Sequence, residues 1–149
     1  MEIKIVWGKS EGKTLISSFD KALLKAGIHN FNLIYLSSVI PQEAVVREVG
    51  TYKSNRKIGD ILHVVISTIS SNTAGVQISA GLGWVKTEEG GLLFESSGQF
   101  SPEECREEIK KGLTEMMSAR GWQGEIRMKV VSHKVKKMAN ITVAAVYDF

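Results

Sequence analysis

The sequence predicts an α+β fold, a layered αββα-type sandwich of mixed or antiparallel sheets flanked by helices. Two segments carry apolar residues at helical spacing and end at a glycine, at residues 27 and 121. Residues 2–7 and 124–132 alternate apolar with polar residues, the pattern of half-buried strands, and further strands are expected between them and after them. The order is strand, helix, strand, several strands, helix, two strands, which places helices on sheets rather than between parallel strands.

Residues 2–7 open the chain as a strand, with Ile3, Ile5 and Trp7 on one side and Glu2 and Lys4 on the other. A polar turn, Gly8 to Lys13, leads into a helix of about 13 residues from Thr14. Leu15, Phe19, Ala22, Leu23 and Ala26 form its apolar stripe, and Gly27 supplies the left-handed cap. A second strand, 31–36, runs into Ser37 and Ser38, and Pro41 imposes an extended or irregular path just beyond. Residues 42–59 are charged and without a period, so they read as a long loop. Strands follow at 60–69, 75–85 and 91–96. The second helix has Ser101 as N-cap, Pro102 as first residue and Glu104 completing a capping box. Cys105, Ile109, Leu113, Met116 and Met117 line one face of it, and Gly121 ends it. Strands at 124–132 and 140–148 close a single domain spanning 1–149.

With 149 residues, 43% hydrophobic and 23% charged, the chain can bury a core unaided. A formal charge of +3 is too small to imply nucleic acid. The basic run 127–137 alternates charged with apolar residues and lacks interleaved aromatics, so it reads as a solvated strand face. No apolar run approaches the roughly 20 residues that span a bilayer, and the first residues do not form a signal peptide. One cysteine, Cys105, excludes an internal disulfide. These features describe a soluble, cytoplasmic protein. His29, His63 and His133 lie far apart in sequence, and no metal site is expected.

Gly8-Lys-Ser-Glu-Gly12-Lys13-Thr14 has the look of a phosphate-binding loop between strand and helix. It has three residues between its glycines where that loop needs four, which favours a plain polar turn. No Gly-x-Ser-x-Gly elbow supports a serine hydrolase. Glu95, after Gly91-Leu-Leu-Phe, is either a carboxylate raised in pKa by burial or an ordinary one at an exposed strand end; spacing alone favours the second. Ser37–Ser38 is one of several serine pairs and says nothing by itself.

Context changes its weight. The stretch from Ser10 through Phe19-Asp20-Lys-Ala-Leu-Leu, Gly27, Asn30, Asn32, Ser37-Ser38, Pro41 and Glu43 resembles the pyruvoyl-dependent arginine decarboxylases. Gly91-Leu-Leu-Phe-Glu95-x-x-Gly98, Ala-Arg-Gly121-Trp122 and Val-x-His133-x-Val135-x-Lys137 follow in the same order, so the resemblance covers nearly the whole chain.

The resemblance implies self-cleavage between Ser37 and Ser38, giving a β chain (1–37) and an α chain (38–149), with a pyruvoyl cofactor made from Ser38. Such a carbonyl is an electron sink for a substrate bound as a Schiff base. The resemblance further assigns Asn32 to oxyanion stabilisation during cleavage and Glu95 to protonation of the carbanion left by CO2. Asp20 would take the guanidinium of L-arginine, with agmatine as product. It implies a homotrimer, or a multiple of one, with sites between neighbours. Gln42 replaces a family proline, Thr68–Asn72 replaces a loop of the type Asp-x-Pro-Gly-Glu, and 47–58 is more basic than in the family. Two alternatives stay open: decarboxylation of another amino acid such as histidine, and an uncleaved relative acting as a binding module.

Overall fold

The computed structural model describes every residue, Met1–Phe149. In chain order the elements are β1 (Glu2–Glu11), α1 (Leu15–Ala26), β2 (Asn32–Tyr35), β3 (Val39–Ile40), β4 (Val45–Gly50) and β5 (Ile61–Ser71). They continue with β6 (Gln77–Lys86), β7 (Gly91–Gly98), α2 (Pro102–Arg120), β8 (Arg127–Lys134) and β9 (Ala139–Asp148). The strands form a mixed five-stranded sheet ordered β2-β5-β9-β1-β4 and an antiparallel four-stranded sheet ordered β3-β7-β6-β8.

Three apolar clusters define four layers. Ile3, Ile5, Val65, Leu82, Leu93 and Ile141 belong to the cluster between the sheets. Leu23, Ala26 and Ile28 join Val6, Leu62, Val64, Ala144 and Val146 beneath α1. Cys105, Ile109, Leu113 and Met117 of α2 meet Val85 and Leu92 on the outer face of the second sheet. The predicted αββα sandwich is therefore present. β9 is covered on both faces, with Ile141, Val143 and Ala145 in the cluster between the sheets and Ala144 and Val146 in the cluster beneath α1, so it reads as an unbroken apolar run instead of an alternation.

Three expectations need correction. The segment Gly8–Glu11 is strand, paired with β9 as far as Glu11 opposite Ala139; only Gly12 and Lys13 separate it from the N-cap Thr14. Gly8 is where α1 lies closest, since a Cβ there would sit 2.2 Å from the Ala22 carbonyl oxygen. Its lack of a side chain serves helix packing and not a phosphate. Residues 42–59 are not all loop, because β4 pairs in parallel with β1, from Glu2 opposite Val45 to Val6 opposite Gly50. Thr68–Ser71 continues β5, and the Asn140 side-chain amide donates to Thr68 Oγ1 and Ser70 Oγ.

The helix ends follow their signals. Gly27 and Gly121 adopt left-handed caps. Ser101 Oγ accepts the Glu104 N–H, but the reciprocal capping box forms at α1, between Thr14 and Ser17. A clasp not foreseen from the sequence closes the far end of the sandwich. The Glu11 carboxylate accepts the N–H groups of Lys136, Lys137 and Met138 at 3.0, 2.9 and 3.1 Å and meets His133 Nε2 at 2.7 Å. Burial alone would raise its pKa, but the Lys136 amide, the His133 ring and the Lys137 amide outweigh it and hold Glu11 at about 2.

Candidate active site

β2 is the edge of the five-stranded sheet and β3 the edge of the four-stranded one. Residues 36–38 therefore bridge two sheet edges, and three backbone hydrogen bonds fix the bridge. The Leu36 N–H donates to the Val64 carbonyl at 2.8 Å, extending the parallel pairing of β2 with β5. The Ser38 carbonyl accepts the Leu93 N–H at 2.9 Å, which ties the turn to β7. Between them the Ser37 carbonyl accepts the Val39 N–H at 2.9 Å, closing a γ-turn centred on Ser38. Since no non-glycine residue has positive φ, it is the inverse form.

Ser38 Oγ donates to Glu95 Oε2 at 3.4 Å. Glu95 lies on β7 opposite Leu82 and shares a strand face with Leu93, so its side chain starts toward the layer between the sheets. In the single chain it opens to solvent at the rim, as the second sequence alternative has it. The protein packed around it still raises its pKa by desolvation, and the Ser38 hydroxyl offsets part of that rise. Tyr147 completes the group. Its buried hydroxyl donates to the Val39 carbonyl at 2.7 Å, and burial, reinforced by the charge of Glu95, raises the pKa of the phenol.

Asn32 and Asp20 do not join these groups within one chain. Asn32 heads β2, where its side-chain amide donates to the Gly59 carbonyl at 2.8 Å. Ser37 lies past the other end of that strand, five residues on, a separation of up to roughly 17 Å in extended chain. Asp20 is exposed on α1 between Ile16 and Leu24, which are 82% and 54% exposed, and the spacing puts all three on one face. The other candidates from the sequence fall elsewhere. His133 is in the clasp, His63 meets the Phe149 ring edge-on, and Cys105 is buried beneath α2 with Sγ 3.6 Å from the Ser96 carbonyl oxygen. No three His, Cys, Asp or Glu side chains converge as a metal site. An open hollow of about 770 Å³ over Glu107, Lys110 and Thr114 lies on the outer face of α2, away from Ser38.

The family model described as pyruvoyl-dependent arginine decarboxylase matches residues 2–148. The chain belongs to the pyruvoyl-dependent arginine decarboxylase family. A pyruvoyl-dependent arginine decarboxylase of Pyrococcus furiosus is 41% identical over 143 residues, covering 94% of this chain and 89% of the relative. Those of Halobacterium salinarum and Methanothermobacter thermautotrophicus are 35% and 33% identical, covering 97% and 99% of this chain and 92% and 96% of the relatives. The pyruvoyl-dependent arginine decarboxylases carry the pyruvoyl group covalently. The chemistry around residue 38 fits such an origin, since a serine hydroxyl there meets a carboxylate at the rim of the sheets.

Tyr147 and Val39 went unmarked in the sequence, because a core tyrosine and a strand valine carry no motif. Glu11 was equally silent, one acid among the sixteen carboxylate residues.

Proposed function

We propose that this chain cuts itself between Ser37 and Ser38, carries a pyruvoyl group at residue 38 and decarboxylates L-arginine to agmatine and CO2. One observation carries the reading: the Ser38 hydroxyl faces the Glu95 carboxylate in a tight turn that bridges two sheet edges.

Ser38 Oγ attacks the Ser37 carbonyl carbon while Glu95 takes the hydroxyl proton. The carbon–nitrogen bond then breaks, and the proton passes to the nitrogen of residue 38. The product is an ester joining Ser37 to the side chain of residue 38. Removal of the Cα proton with cleavage of the Cβ–O bond frees the Ser37 carboxylate, and hydrolysis of the resulting enamine releases ammonia and leaves the pyruvoyl group. The pieces are residues 1–37 and 38–149. They stay in one domain, because β1 lies between β9 and β4 and pairs with β9 from Glu2 to Glu11.

The pyruvoyl group supplies a carbonyl that binds the substrate amine and accepts the electron pair left by CO2. The chain's own residues do the rest. Glu95, its pKa raised by burial, holds a proton at the rim for return to the substrate carbon. The Asp20 carboxylate offers two parallel acceptors to a guanidinium, and the Asn32 amide offers donors to an oxyanion. Both residues stand apart from Ser38 in one chain, which supports a homotrimer, or a multiple of one, in which a neighbour completes the site. The exposed apolar side chains of Ile34, Tyr35 and Val39 at the same edge fit burial by that neighbour. No helix is long and apolar enough to cross a membrane, and a cytoplasmic enzyme supplying agmatine to polyamine synthesis follows from this reading.

The test is incubation of purified protein with L-arginine and, separately, L-histidine, following CO2 and the amine product. Agmatine formation abolished by a carbonyl reagent supports the proposal. Turnover of histidine alone would transfer the reading to that substrate, and no turnover of any amino acid would leave a binding module.

A further inference from the structure

We infer that the Val39 backbone amide is an oxyanion donor of self-cleavage built into the chain itself, and that Tyr147 is the positioning residue that aims it. This rests on the self-cleavage proposed above. When Ser38 Oγ bonds to the Ser37 carbonyl carbon, the carbonyl π pair moves onto oxygen, and that oxygen must be stabilised where it stands. The Val39 N–H already points at it from 2.9 Å. A donor fixed in place before charge develops needs no reorganisation during the step. The amide of residue 38 cannot serve, because its nitrogen is bonded to the attacked carbon. Within one chain the Asn32 side chain is at the other end of β2 and engaged with the Gly59 carbonyl, so an Asn32 brought by a neighbour would add a second donor to the one the turn already holds.

The γ-turn that aims the Val39 N–H is held on every side. Leu36 is fixed to Val64 before it and Ser38 to Leu93 within it. After it, the Val39 carbonyl is held by the Tyr147 hydroxyl at 2.7 Å. The Val39 side chain does not hold the turn by packing, since the residue is 54% exposed. Tyr147 can act as an anchor because β9 is paired on both sides, Tyr147 itself opposite Ile3 on β1 and His63 on β5. Its residue is only 3% exposed. Burial also keeps the phenol protonated, and so a donor, throughout the range in which Glu95 titrates.

The test compares the full chain with Tyr147→Phe, which keeps the ring and removes the hydroxyl. Cleavage at 37/38 is followed by denaturing mass spectrometry, and folding by the melting temperature. Loss of a whole oxyanion donor slows acyl chemistry on the order of 100- to 1,000-fold. A donor left in place but misaimed predicts a slowing of roughly 10- to 100-fold. A second readout uses the uncleavable Ser38→Ala chain with and without Tyr147→Phe, recording the carbonyl 13C shift of residue 37. Release of its hydrogen bond moves that carbon upfield, which loss of packing at Tyr147 alone does not do. A folded Tyr147→Phe chain that cleaves at the parent rate, or an unmoved residue 37 carbon, overturns the inference while leaving self-cleavage intact. A parent chain that never cleaves overturns the underlying proposal instead. If Tyr147→Phe does not fold, exchange of the Val39 amide in Ser38→Ala decides the donor. Protection of about 100-fold or more supports it, and free exchange of this exposed residue refutes it.

Discussion

Replacing Glu11 by glutamine isolates the clasp at the far end of the sandwich. The carboxylate is held at about 2, against an ordinary 4.5, by amide donors from the β8–β9 turn and by the His133 ring. A shift of that size corresponds to roughly 3 kcal/mol if fully expressed. The Glu11 side chain keeps 27% of its surface in solvent, so screening reduces the expected contribution to about 1–2 kcal/mol. Because the folded-state pKa is depressed, the contribution is whole above the unfolded value and is lost as pH falls toward 2. Urea unfolding of parent and Glu11→Gln, followed by tryptophan fluorescence at matched concentration, should show that gap at pH 7. At pH 3 more than half of it should be gone. Equal gaps at both values, or none at pH 7, would refute the assignment of this stability to an ionised Glu11.

Five further outcomes follow from the site and the fold. Ser38→Ala should leave one uncut chain without decarboxylase activity, read by mass and CO2 release. Glu95→Gln should slow both cleavage and turnover by about 100-fold or more, since the carboxylate contacts the Ser38 hydroxyl as well as serving the later proton. In the parent, cleavage should rise and kcat should fall with pH, each through a raised Glu95 pKa, because the first step uses the ionised form and the second the neutral one; the second limb should lie higher, since the Ser38 hydroxyl that offsets the rise is gone after cleavage. Two limbs running in the same direction would separate the roles. Asp20→Asn should raise KM for arginine about 10- to 100-fold with the melting temperature unchanged, and Gly8→Ala should cost about 1–3 kcal/mol in unfolding by forcing α1 off the Ala22 contact.

The helices were legible because each buries one face against a layer and is punctuated by Ser101, Gly27 or Gly121, and the long strands because their apolar residues alternate or run unbroken where both faces are covered. β4 was not, since an edge strand with exposed Val45 and Val49 around Arg47 and Glu48 has no buried face to impose a period. Gly8 misled because a glycine needed for close helix packing and one needed to cradle phosphate look alike in sequence. The serine pair drew its meaning from family resemblance, and the structure adds what spacing could not: Glu95, 57 residues away, reaches Ser38 through the pairing of β3 with β7. Tyr147 and Val39 depend on the same tertiary contact and left no local trace.

Intact mass of the purified chain under denaturing conditions tests the central claim most directly. The account predicts two fragments meeting at residues 37 and 38, the larger blocked at its N-terminus and reactive to a carbonyl reagent. A single uncut chain after prolonged warming would contradict it.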